Sequence, residues 1–164
     1  MSEELSTPPP ARQIALQRIY LKDASVEVPL APQVFTRQWN PQLDVQVGTA
    51  TTPLGEGVHQ VMLTVTVTAK LGEETGFLVE VHQGGIFQLI GITANEDIQA
   101  ILAGYCPGVI FPFAREAVAD LIQRSGFPPV LLQPINFEAL YMEHLARARE
   151  QAVTAGNNAG ATVQ

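Results

Sequence analysis

Cysteine occurs once in this chain of 164 residues, at Cys106. A lone thiol excludes an internal disulfide and fits a reducing compartment. The chain also lacks CxxC and HxxxH spacings: His59, His82 and His144 stand far apart, so no metal site is expected. Basic residues are few, nine Lys and Arg against sixteen Asp and Glu, for a net charge of -7. Nucleic-acid binding needs a basic track to displace counterions, and none exists here. Neither GxGxxG nor GxxxxGK[ST] is present, so no nucleotide cofactor is expected. No unbroken run of 18 apolar residues exists, which argues against membrane insertion. The opening MSEELSTPPP has no basic then apolar stretch of a signal peptide, and a cytoplasmic protein is expected. Charge itself is scarce, 15% of residues against 46% apolar. The usual charged share is about 25%, so spare apolar surface is expected in an oligomer or a binding site.

What is present organises as one domain over 12–151. The flanks 1–11 and 152–164, Pro-rich and Ala/Gly/Asn-rich respectively, are expected to lack regular structure. Strands are expected over 13–28, 42–51 and 58–71, the last with Val61, Leu63, Val65 and Val67 alternating against Met62, Thr64, Thr66 and Thr68. Segment 53–57 (PLGEG) reads as a turn and 72–76 as a hairpin turn into a fourth strand. In that strand Phe77, Val79 and Val81 point one way while Leu78, Glu80 and His82 point the other. Gly84-Gly85 signals a bulge or a close backbone approach. A short helix over 95–103 is expected to stop at Gly104. A longer one follows Cys106, with Ile110, Phe113, Ala114, Ala117, Val118, Leu121 and Ile122 on its apolar stripe. Val109 and Phe111 lie off that stripe and make a second apolar face. Asn136 is a suitable N-cap for a last helix. Strands followed by helices argue for an α+β fold, an antiparallel sheet with helices on one face.

The candidate chemistry is thin. Cys106 with a histidine is one conceivable nucleophile pair, and Glu73 with Glu74 one conceivable acid/base pair. Burial of a small residue and solvated turn charge are the simpler readings, so no catalytic residue is assigned. Two binding features remain. Asp23 and Glu27 share one face of the first strand, and Glu80 lies on the non-core face of the fourth beside Leu78; pairing of those strands would gather the carboxylates. His82 shares that face and can modulate docking near neutral pH. Trp39 sits in a proline-flanked connection and with Leu43, Leu140 and Tyr141 can line a groove; packing under a loop is the competing reading.

LGEETGFLVEVHQGGIF, AGYCPGVIFPFARE, IYLKDASVEVP and PINFEALYM resemble the bacterial SecB protein-export chaperone family, collinearly over about residues 13–145. The resemblance implies a four-stranded antiparallel sheet of order 1-4-3-2 with two principal helices. It implies a homotetramer, a dimer of dimers, with first strands pairing across each dimer and Val109 and Phe111 at the helix interface. It implies an ATP-independent, non-enzymatic chaperone without cofactors that binds unfolded precursor proteins and delivers them to the SecA motor. SecA would dock on Asp23, Glu27, Leu78 and Glu80, and clients on Trp39, Leu43, Leu140 and Tyr141. The tail after Glu150 has no acidic residue, which argues against a tail contact with SecA. A SecB-like chaperone serving a toxin–antitoxin system and a small enzyme using Cys106 are the alternatives.

Overall fold

The computed structural model describes residues 7–159. Four strands form one antiparallel sheet of order β1-β4-β3-β2: β1 (Gln13–Glu27), β2 (Gln42–Gly55), β3 (Val58–Leu71) and β4 (Glu74–Ile90). β3 and β4 are central, and their alternation is that of strands with one buried face. Val61, Leu63, Val65, Val67 and Ala69 of β3 and Phe77, Val79, Val81, Phe87 and Leu89 of β4 are buried on the same side.

β1 reaches that side by a less regular route. Its pairing with β4 skips a residue between Leu16 and Arg18 and again between Leu21 and Asp23, leaving Gln17 and Lys22 as bulges. Each extra residue inverts the alternation of the residues after it. Ile14 and Leu16, then Ile19 and Leu21, then Ala24 and Val26 therefore all face the buried side, opposite Leu89, Phe87, Gly85, Gln83, Val81 and Val79. Without the bulges these apolar pairs would be out of phase.

The expected helix stop at Gly104 is not there. One continuous helix runs from α1 (Asn95–Ala100) through a π-helical segment, Ile101–Tyr105, into α2 (Cys106–Arg124). Gly104 is buried beneath Glu138, where a Cβ would come within 2.9 Å of the Glu138 Cγ. The glycine serves as a crossing point for α3 (Phe137–Ala159), not as a terminator. Leu102, Cys106, Ile110, Ala114, Val118 and Ile122 seal the sheet. By length and composition this helix could cross a membrane, but this stripe is the core of the domain. It ends at Gly126, whose φ of +91° and backbone bond to Gln123 make the left-handed cap.

Three further sequence expectations are corrected. Phe113 is 44% exposed, whereas the off-stripe Phe111 is buried, edge-on to Phe137 of α3 at 5.8 Å. The helical period alone puts position 111 on the surface, because α3, which covers it, comes later in the chain. β2 continues through Pro53 to Gly55, an edge position where proline's missing N–H costs no ladder bond. The tail is helical as far as Ala159, because the alanines sustain α3 beyond the glycine and asparagine content that suggests disorder. Expectations for 1–6 and 160–164 lie outside the described residues.

Gly84-Gly85 does not interrupt β4. It is the close approach instead: a Cβ on Gly84 would collide with the Tyr20 ring, and Tyr20 Oη donates to Gln60 Oε1 at 2.5 Å. Gly84→Ala should therefore destabilise the fold by roughly 1–3 kcal/mol, the usual cost of overpacking. Urea unfolding at fixed protein concentration measures it. The penalty should shrink in a Tyr20→Ala background; an unchanged penalty would contradict this packing.

Candidate docking face and apolar groove

The sheet's other face carries the polar candidates. Across β1 and β4, Asp23 stands opposite His82, Ser25 opposite Glu80 and Glu27 opposite Leu78. The second β1 bulge, at Lys22, puts Asp23 and Glu27 on this side. The expected gathering thus occurs, with both β1 carboxylates diagonal to Glu80. β3 floors the patch with Thr64, Thr66 and Thr68, opposite His82, Glu80 and Leu78. Beyond it β2 contributes Asp44, opposite Thr68.

Glu80 is held on two sides. Its Oε1 lies 2.7 Å from His82 Nε2, and its Oε2 accepts from Thr66 Oγ1 at 3.2 Å. The hydrogen bond from His82, with a smaller one from Thr66, keeps the Glu80 carboxyl below the usual carboxylate range. Glu80 therefore stays negative further into acid than an unpartnered glutamate. The other His82 nitrogen, Nδ1, lies 3.1 Å from Thr64 Oγ1. With Nε2–H donating to Glu80, the neutral ring accepts from the Thr64 hydroxyl.

The groove residues divide between two places. Trp39 is half-buried, stacked on Phe77 at 5.9 Å and against Phe127 at 4.4 Å, with Gly76 beneath it. It is chiefly core packing under the loop. Arg37 pairs with Glu74 at 2.5 Å and ties the same connection to the start of β4. Leu140 and Tyr141 line a cleft with Val47, Thr49, Phe137 and His144. Asn136 Oδ1 caps α3 by accepting from Ala139 N at 3.0 Å, which fixes that cleft's wall. Between the two places runs an apolar stripe on β2: Leu43 and Val45 are 41% and 42% exposed and face the helix side with Val47. α2 packs across β4 and β3, only borders β1 and leaves this edge uncovered. Sequence reasoning named Leu43 but missed Val45, Val47 and Thr49 of β2 and His144 of α3. The alternation of β2 carried the signal for the valines.

A family model for preprotein translocase subunit SecB matches residues 7–148. The chain belongs to the SecB family. A protein-export protein SecB of Methylococcus capsulatus is 48% identical over 152 residues, covering 93% of this chain and 96% of that one. The SecB of Chromobacterium violaceum is 51% identical, covering 96% of this chain and 99% of its own. In fold, the chain is similar to a Mycobacterium tuberculosis SecB-like chaperone solved with a ChAD peptide from an antitoxin. That likeness has a TM-score of 0.62 at 18% identity, over 74% of this chain and 90% of that one.

Cys106 is fully buried beneath the sheet. Burial pushes its thiol up to about 12, so it is neither reachable nor a thiolate, and the nucleophile reading loses its basis. Among the described residues no cluster of three potential metal ligands occurs. Thiol labelling near pH 8 should be negligible in the native protein and fast after denaturation. The same burial gives stability a pH dependence of definite sign. The unfolded thiol ionises above its ordinary value of 9.0 while the folded one stays protonated. The unfolded state then binds fewer protons, and stability falls as pH rises past that point. Rapid native labelling would contradict this burial.

Proposed function

We propose that this chain is an ATP-independent chaperone that binds unfolded precursor proteins in the cytoplasm, keeps them translocation-competent and delivers them to the SecA motor. The carrying observation is the sheet face that gathers Asp23, Glu27, Glu80 and Leu78 into one acidic, partly apolar patch. A patch of that charge suits a partner surface bearing cations around an apolar spot. The groove suits the other half of the task. Leu43, Val45 and Val47 on a free strand edge, continuing to Leu140 and Tyr141, give an extended client apolar contacts and backbone groups to bond. A holdase acts by binding the unfolded state, a mass-action effect that needs neither nucleotide nor a nucleophile. Relatives named protein-export proteins at about half identity favour export over the antitoxin role printed for the distant fold neighbour.

Assembly into a dimer of dimers belongs to the same reading. With Phe111 covered by α3, support for a helix interface shifts to Phe113, which with Leu21 and Leu131 puts exposed apolar side chains into an open hollow between β1 and α2 that Arg115, Glu116 and Asp120 also line. Val109 is partly buried on the neighbouring helix face. The free edge of β1 is available for strand pairing with a second copy.

The purified protein should have a tetramer's mass by light scattering and suppress precursor aggregation without nucleotide. Asp23→Lys with Glu80→Lys should weaken SecA binding at least tenfold, as expected for like charge placed in a complementary face, and spare aggregation suppression. Unchanged SecA affinity would contradict the face, and lost client holding with intact SecA affinity would reverse the two assignments.

A further inference from the structure

Histidine is the side chain whose ordinary charge change falls between about pH 5 and 8, and His82 is the histidine on the acidic face. It is also the group that holds Glu80. Its surroundings are lopsided. On β4 it touches Glu80. From β1, Asp23 stands directly opposite, with Glu27 four pairs along on the same face, Tyr20 on the other flank opposite Gly84, and Lys22 in the adjoining bulge. From β3 only the hydroxyls of Thr64 and Thr66 face this pair. Farther across, β2 offers Gly48 in the same row, then Gln46 and Asp44. Carboxylates thus outnumber the single lysine around the ring, and neither threonine needs to leave when the ring gains a proton. Thr64 Oγ1 can donate to neutral Nδ1 or accept from protonated Nδ1–H by rotating its hydroxyl.

We infer that His82 is the positioning residue of this docking face and its pH-sensitive throttle. Neutral, it donates one hydrogen bond from Nε2–H, aims the Glu80 carboxylate and leaves its charge for a cationic partner. Protonated, it becomes an ion-pair partner for Glu80 inside the face and adds a positive charge opposite Asp23. Both effects act in the same direction: mild acid weakens the docking of a cationic partner. This inference rests on the docking reading above and names the regulation of that same site.

The test is SecA titration at about pH 8 and about pH 6, a window in which histidine changes charge and carboxylates do not. Binding to the unaltered protein should weaken roughly three- to tenfold over that window. His82→Gln, which keeps a donor to Glu80 but no ionisable ring, should lose most of the pH dependence whatever its affinity at pH 8. His82→Lys should bind weakly at both values. His59 and His144 remain in every variant and report any general histidine effect. A His82→Gln protein with the original pH slope would overturn the inference. If Asp23→Lys with Glu80→Lys leaves SecA affinity intact at pH 8, the docking reading itself has failed. Without any partner, the Glu80 carboxyl carbon followed by NMR should shift with the His82 ring through their shared transition. A Glu80 signal flat through that transition would also overturn it.

Discussion

The ladder between β1 and β4 runs from Gln13↔Ile90 to Glu27↔Leu78, and the placement of everything on the sheet's two faces depends on it. A strand offers only two sides, and a slip of one residue exchanges them. β1 uses two slips. The bulges at Gln17 and Lys22 bring three apolar pairs successively onto the helix side, where Ile14, Ile19 and Ala24 pack partly buried against the core while Leu16, Leu21 and Val26 stay exposed. The same slips fix the opposite face. Once Ala24 and Val26 are turned inward, Asp23 and Glu27 have no choice but to stand beside Glu80 and Leu78. The acidic patch is thus a consequence of the register that turns Ala24 and Val26 to the helix side.

The two faces then divide the work. The helix side is closed over β4 and β3 by the long helix, which only borders β1 and leaves Leu16, Leu21 and Val26 exposed, with Gly104 providing the crossing for α3 and Phe111 locked under Phe137. Closure stops short of β2. That leaves an apolar edge in which backbone groups and half-exposed side chains lie side by side, the combination an extended chain can use. The outer face has no helix on it. Its threonines give it hydrogen-bonding capacity without charge, so its potential is set by its carboxylates, His82 and the basic residues Arg18, Lys22 and Lys70.

Much of this was legible in the residues. β3 alternates so cleanly that its bounds and inward face follow from period alone, and Glu80 on the non-core face of β4 follows from Phe77, Val79 and Val81 on the other. Half of the site was legible for the same reason: Asp23, Glu27, Leu78 and Glu80 need only alternation and a neighbour relation. Other features depend on contacts between distant segments. The fate of Gly104 turns on Glu138, that of Phe111 on Phe137, and that of Trp39 on Phe77 and Phe127; no local period encodes those meetings. The bulges fall between. Ile14/Leu16, Ile19/Leu21 and Ala24/Val26 are visibly out of phase in the chain, and only a one-residue insertion between each pair reconciles them with a single buried face.

The register at the end of β1 is therefore the point to measure. Glu27→Cys with Leu78→Cys places two thiols on directly opposed residues of one face, within the separation a disulfide spans. Buried Cys106 should stay out of the reaction. Mild oxidation should give an intrachain crosslink with the fold retained, whereas Glu27→Cys with Val79→Cys, on opposite faces, should not close. Crosslinking of the second pair in preference to the first would mean that β1 lies one residue out of this register, and the acidic face as described would not exist.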